Sequence, residues 1–359
     1  MSLSFTTGDL LKAEADATVN TVNCVGVMGK GIALQFKKKW PANYKAYKKA
    51  CDVGLVRPGK MHVHDLGRFA GRPYHIVNFP TKDHWRGGSQ LSFIEEGLKD
   101  LVRVVREQGI RSIAIPPLGC GNGGLDWEVV RPMIEAAFAP LANEVQVLAY
   151  APAGAPRATE MEVRTEKPRM TPGRAVLIKL IALYRELDYS LSKIEVQKLC
   201  YFAQCAGQPL KLEYTKNQYG PYAPNLRHVL THIDGHYVKG VGDHDSAETE
   251  LTLMEGAEKE AEEFLRDHAD SHERMEKVGK LIEGFETPFG MELLATVHWV
   301  ATRQCEGQGL ECVMRGIHEW EPEKPAWNER KKALMTRPQV KFALERLAAG
   351  GWLEAGISV

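Results

Sequence analysis

The 359-residue chain contains no run of about 18 apolar residues, the length needed to span a membrane as a helix. Its opening residues, MSLSFTTGDLL, have neither the basic stretch nor the long apolar core of a secretory signal, so a cytoplasmic chain is expected. Seven cysteines are dispersed and no Cys-x-x-Cys pair occurs. That pattern argues against a zinc site or a disulfide framework, and reduced thiols are expected. A GxxxxGK[ST] stretch is missing, which excludes a P-loop nucleotide hydrolase, and no GxGxxG stands in the context a dinucleotide fold requires. No internal repeat is seen. Net charge is also missing, at zero overall, but the balance is uneven. Residues 1–155 carry 19 Lys+Arg against 14 Asp+Glu, and the remainder 27 against 32. A mildly basic first half suits an anionic substrate. The acidic second half argues against direct nucleic-acid binding there and suits a basic partner surface.

What is present reads as two domains. In residues 1–155, β-branched runs at 3–7, 17–23, 61–66, 73–79, 112–117 and 144–150 alternate with helical stretches at about 31–39, 41–52, 89–108 and 126–139. This alternation predicts a three-layer α/β fold around a central sheet. Residues 156–173 lie in a Pro-, Ala- and charge-rich stretch without periodicity and are read as a linker. From 174 to 359 the pattern turns mostly helical, with expected helices at 174–187, 192–206, 222–234, 255–270, 272–284, 288–304, 307–318 and 338–349. Strand signals there are sparse, at 211–215 and 249–253.

The chemistry concentrates on three loops. Gly26-Val27-Met28-Gly29-Lys30-Gly31 and Gly119-Cys120-Gly121-Asn122-Gly123-Gly124 each follow a strand and precede a helix. Glycine lets the backbone approach a ligand, and helix N-termini favour anions, so the pair suggests a diphosphate held by backbone amides. The third loop follows His75-Ile76-Val77-Asn78-Phe79-Pro80 and places Thr81 and Lys82 at a strand end, where open α/β sheets bind ligands. A neutral lysine there is a candidate nucleophile, provided that burial or neighbouring cations lower its pKa. The plain alternative is a solvated loop lysine. His62, His64 and His75 alternate with apolar residues and read as ordinary strand histidines, since no partners suit a metal. Lys30, Lys37, Lys38, Lys39, Lys45, Lys48 and Lys49 form either the solvated face of two helices or a weak contact for DNA phosphates. Trp40 and Trp85 are candidates for stacking on an unpaired base or for packing.

The string Asn20-Thr21-Val22-Asn23-Cys24-Val25 through Phe36-Lys37, with Asn78-Phe79-Pro80-Thr81-Lys82 and Pro116-Pro117-Leu118-Gly119-Cys120-Gly121, resembles the macrodomain family nearly end to end over residues 1–150. Within that family it is similar to the branch of DNA ADP-ribosyl glycohydrolase antitoxins. The resemblance implies a three-layer macrodomain with a mixed central sheet. It implies that Asp9 accepts the adenine amino group beside Leu10, and that Asn23 binds the distal ribose. Gly26, Val27, Met28, Gly29, Gly31, Ile32 and Ala33, with Leu118, Gly119, Cys120, Gly121, Asn122, Gly123 and Gly124, would cradle the diphosphate and distal ribose. Thr81 would line the site, Lys82 would be catalytic, and Tyr150 would pack near the adenine. One departure stands out. Relatives acting on glutamate-linked ADP-ribose carry an aspartate two residues after the Gly-Cys-Gly turn, where this chain has Gly123. Asp126, three residues on, reads as a helix cap.

In the second half, Ser192-Lys193-Ile194-Glu195-Val196-Gln197-Lys198-Leu199-Cys200-Tyr201-Phe202-Ala203-Gln204 and Tyr219-Gly220-Pro221-Tyr222-Ala223-Pro224 resemble the Panacea (SocA-like) domain of antitoxins over about 175–300. The resemblance implies that this half binds a DarT-type DNA ADP-ribosyltransferase toxin. The acidic stretch Glu255, Glu258, Glu260, Glu262, Glu263, Asp267 and Asp270 is either a contact for that toxin or a solvated face. The expected activity is removal of ADP-ribose from a base, thymidine being the first candidate, in single-stranded DNA. No cofactor is expected, metal or otherwise. An ADP-ribose reader, a hydrolase of ADP-ribosylated protein and a purely toxin-binding antitoxin remain as alternatives.

Overall fold

The computed structural model describes residues 3–152, 160–185, 191–242, 250–305 and 308–353. The chain divides into two compact units, Met1–Glu166 and Lys167–Val359.

The first unit is built on a six-stranded sheet of β1 (Leu3–Thr6), β2 (Ala17–Val22), β3 (His62–Asp65), β4 (His75–Pro80), β5 (Ser112–Ile115) and β6 (Gln146–Tyr150), in the order β1-β6-β5-β2-β4-β3. Only β3 runs antiparallel, so the sheet is mixed. The helices are α1 (Gly31–Lys39), α2 (Pro41–Asp52), α3 (Leu91–Glu107) and α4 (Trp127–Phe138). Both faces of the sheet are covered, which explains why β5 is buried at every residue. Alternation along β4 serves the two faces. Val77 and Phe79 join the core with Ile94, Leu98, Leu101 and Val104 of α3, while Ile76 packs with Phe36 and Trp40. The α3 apolar residues recur at helical spacing, which buries one stripe. Gly97 of α3 is required by this packing, because a Cβ there would lie 2.2 Å from the Phe79 ring.

The second unit is mostly helical: α5 (Pro172–Arg185), α6 (Lys193–Cys205), α7 (Leu226–Ile233), α8 (Ala257–Leu265), α9 (Ala269–Ile282), α10 (Pro288–Arg303), α11 (Leu310–His318), α12 (Pro325–Leu334) and α13 (Arg337–Ala349). Two small antiparallel pairs are seen among the described residues, β7 (Thr215–Asn217) with β8 (Gly220–Tyr222), and β9 (Val238–Lys239) with β10 (Thr252–Leu253). Helix α10 is buried from Gly290 to Ala301 and packs on α6, α11 and α13. No helix among the described residues is long and apolar enough to cross a membrane.

Several expectations change. The stretch 156–173 is not a linker throughout. Glu160–Glu166 belongs to the first unit, where Glu162 pairs with Lys39 at 3.0 Å and the Arg164 amide donates to the Lys38 carbonyl at 2.9 Å. Helix α5 begins at Pro172; residues 156–159 of that stretch, and 186–187 of the first helix expected after it, lie outside the described residues. The cysteines are not all reduced. Cys305 and Cys312 are disulfide-bonded across the reversal from α10 to α11, which brings their Cα atoms to 5.9 Å, while Cys24, Cys51, Cys120, Cys200 and Cys205 are free thiols. Helix α12 was masked in the sequence by its charge. The segment around Trp320 closes the second unit: Trp320 is fully buried and donates to the Asn217 carbonyl at 2.8 Å.

Candidate functional site

β2, β4 and β5 run parallel, with Val22 opposite Pro80 and Ala17 opposite Ile113, so all three loops leave the same sheet edge. β1 and β6 end there too, with Thr6 opposite Tyr150. The edge therefore presents, in order, Asp9 and Tyr150, then loop 119–124, then loop 24–30, then Lys82. From β1 to β4 this is four strand steps, about 19 Å, enough for an elongated ligand.

At the first end, Asp9 caps a short helical turn by accepting from the Leu11 amide at 2.9 Å. Leu10 is buried, and Tyr150 packs in the same small core, where burial and the Asp9 charge raise its phenol pKa. The strap Glu160–Glu162 joins Asp9, Leu11, Lys12, Gln35 and Lys39 in lining a pocket at this end. Nothing in the residue pattern marks this strap, because an extended segment beyond the last strand has no periodicity.

The first glycine loop is braced from within. The Asn23 side chain accepts from the Val25 and Val27 amides at 3.0 and 3.3 Å and donates to the Val27 carbonyl at 2.5 Å. The buried Tyr47 hydroxyl donates to the Asn23 carbonyl at 2.7 Å. Asn23 is thus committed to holding the loop. Met28 points into the core, Ala33 is buried and Ile32 is partly so, while Val27 is exposed. Gly26 and Gly31 have φ of +77° and +58°, which only glycine adopts readily. Helix α1 starts at Gly31 with no side-chain cap on its N-terminus.

The second loop is shaped by what cannot fit. A Cβ on Gly123 would lie 2.1 Å from the Gly119 carbonyl oxygen and 2.3 Å from Ser89 Oγ. Position 123 therefore cannot carry an aspartate in this backbone. Asp126 accepts from the Glu128 amide at 3.0 Å and caps α4, as expected. Leu118 is fully buried, and the Cys120 thiol, pushed up by burial to about 11, donates to the Leu118 carbonyl. The Ser89 amide donates to the Gly123 carbonyl at 2.9 Å.

Lys82 connects the loops. Its Nζ donates to the Asn122 carbonyl, and Asn122 Nδ2 lies 2.9 Å from where a Gly31 Cβ would stand. Asn122 thus meets the start of α1 with its side chain and the lysine with its backbone. Lys82 is half-buried, and burial lowers its pKa from the ordinary value. Thr81 is buried and its amide donates to the Val22 carbonyl at 3.0 Å. No cluster of three metal-ligating side chains occurs among the described residues.

Other candidates separate. Lys38 is buried, Lys39 bridges Glu162 and the Leu11 carbonyl, Lys37 lies over the Tyr44 ring and Lys48 pairs with Asp52. The seven lysines are therefore not one phosphate-binding face. Trp40 is 7 % exposed and packs on Phe36, so it is not available for stacking; Trp85 is 48 % exposed. His62 accepts or donates within a buried network with Asn78, Asn43 and Asn20. On α8, Glu258 and Glu262 hold Lys179 and Glu260 holds Lys167, so much of the acidic stretch is paired inside its own unit.

The family model that matches is "Macro domain", over residues 19–134. The chain is 45 % identical to the DNA ADP-ribosyl glycohydrolase of Thermus aquaticus over 98 % of its own length and 94 % of that protein's. A Thermosipho africanus DNA ADP-ribosyl transferase–DNA ADP-ribosyl glycohydrolase fusion protein is 34 % identical over 41 % of each chain. Among solved structures, the macrodomain of Mycobacterium tuberculosis DarG is 56 % identical, covering 42 % of this chain and 98 % of that one, with a TM-score of 0.41.

Proposed function

Since the chain belongs to the DNA ADP-ribosyl glycohydrolase (DarG) family, we propose that its first unit removes ADP-ribose from a base of single-stranded DNA, thymidine being the candidate, with Lys82 as the reacting group. The observation that carries the reading is the placement of Lys82, half-buried with a lowered pKa, between two glycine loops that meet at Asn122. Asp9 takes the adenine amino group, with Leu10 and Tyr150 beside it. The backbones of 26–33 and 118–124 cradle the diphosphate and distal ribose, and Asn23 acts by holding its loop in shape.

The neutral Lys82 amine adds to C1″ of the distal ribose, and the bond from C1″ to the base nitrogen breaks with its electron pair on the base. The proton that the lysine nitrogen sheds on forming its bond is the one the departing base takes up. Water then replaces lysine at C1″, returning the amine and releasing ADP-ribose. No carboxylate partner is required, consistent with Gly123 and with the capping role of Asp126. An imide base such as thymine leaves with its charge delocalised, which suits a site without a dedicated acid.

The second unit binds and neutralises a DarT-type ADP-ribosyltransferase; the fusion protein that bears both activity names in one chain supports that partnership. The substrate reading is tested by offering the full chain a thymidine-ADP-ribosylated oligonucleotide and an ADP-ribosylated protein. Release of ADP-ribose from the oligonucleotide at least ~100-fold faster is expected; preference for the protein would overturn it. The partner reading is tested by co-purifying Lys82→Ala full chain with the transferase, where loss of the complex would contradict a binding role separate from catalysis.

A further inference from the structure

The loop after Lys82 is tied at both ends to the two glycine loops. The Cys24 amide donates to the Asp83 carbonyl at 3.0 Å, and the Ser89 amide donates to the Gly123 carbonyl at 2.9 Å. Between the tethers a turn closes, with the Gly87 amide on the His84 carbonyl at 3.0 Å and the Arg86 amide on His84 Nδ1 at 3.2 Å. Trp85 sits in this turn, three residues from Lys82, and is 48 % exposed. Its ring contacts are with its chain neighbours: the His84 ring at 5.5 Å between centroids and the Arg86 guanidinium at 4.7 Å. The fold does not use this indole as core. Exposure alone does not distinguish it, since Phe69 is more exposed, but Phe69 lies between β3 and β4, at the far end of β4 from Lys82.

We propose that Trp85, flanked by Arg86 and His84, is a stacking platform for an unpaired DNA base next to the modified nucleotide. The inference rests on the reading of the first unit as a DNA glycohydrolase and names how it engages the strand. An aromatic face with a cation beside it is the pattern that holds single strands, because every base has a π face and every nucleotide a phosphate. The tethers fix the platform relative to Lys82, so a base stacked there sets the position of the neighbouring modified nucleotide. Trp85 is a positioning residue for the strand and does not touch the reacting atoms.

The test compares kcat/KM on a thymidine-ADP-ribosylated single-stranded oligonucleotide with kcat/KM on ADP-ribosyl-thymidine nucleoside, for wild type, Trp85→Ala and Trp85→Phe. The oligonucleotide-to-nucleoside ratio is expected to fall about 10-fold or more in Trp85→Ala, the fold-change of one lost base–aromatic stack, mainly through KM. Trp85→Phe is expected to keep most of the wild-type ratio. An unchanged ratio in Trp85→Ala, whether both substrates are unaffected or both lose alike, would overturn the platform. A wild type inert on both substrates would instead overturn the glycohydrolase reading beneath it.

Discussion

The strand-end edge of the first unit and the interior of the second handle polarity in opposite ways. In the first, the functional edge is made of backbone: glycine loops, helix starts and carbonyls, with Lys82 held by a peptide oxygen. In the second, charged side chains are buried as internal struts. Glu292, 2 % exposed, receives Arg330 at 2.7 and 2.9 Å and the fully buried Lys331 at 3.0 Å. Nearby, Lys198 is buried against the Pro221 carbonyl at 2.6 Å, and burial brings its pKa down to about 7. A backbone site tolerates ligand exchange without exposing a charge. A strut network instead fixes one arrangement and fails when a partner is lost. The first design suits turnover, and the second suits a unit that keeps a single shape.

The sharpest way to break this comparison is Glu292→Gln. Removing the carboxylate leaves Arg330 and Lys331 without their counter-charge, and a loss of about 3–5 kcal/mol is expected in urea unfolding of the second unit. ADP-ribose affinity, measured by calorimetry, is expected to stay unchanged; a loss of both would merge the two units into one cooperative structure. Next in size is Gly123→Ala. Its Cβ would overlap the Gly119 carbonyl oxygen, so ADP-ribose affinity is expected to fall at least ~10-fold, as for a strained tight turn, with little change in unfolding of the second unit. The smallest effect is on pH. Burial lowers the Lys82 pKa, and the proposed nucleophile is the neutral amine. kcat/KM is therefore expected to rise with pH and to level off below 10.5, the ordinary lysine value. A rate that falls over that range would assign the lysine to its charged form.

Much of the first unit was legible because its demands fall on residue type. Positive φ at Gly26, Gly31, Gly119 and Gly124 and the lack of room at Gly123 force glycine, and the pattern is written in the chain. The Asn122 carbonyl was not legible, since a backbone acceptor has no letter. Trp40 and Trp85 are the same residue, and only packing separates them, although Phe36 four residues before Trp40 was a usable sign of a shared helix face. In the second unit, Lys198, Glu292 and Lys331 look like surface residues in any hydropathy reading. Their burial follows from pairing across chain distances of up to 39 residues, which periodicity does not register. The Cys305–Cys312 pair was hidden for a similar reason: spacing alone does not say that the chain reverses between two helices.

The most direct test of the account is single-turnover release of ADP-ribose from a thymidine-ADP-ribosylated oligonucleotide by wild type and by Lys82→Ala, with ADP-ribose binding measured on both. Release by wild type, a loss of more than ~100-fold in the variant (about 2.7 kcal/mol of barrier) and retained binding are predicted. Equal release by both proteins would contradict the central role of Lys82.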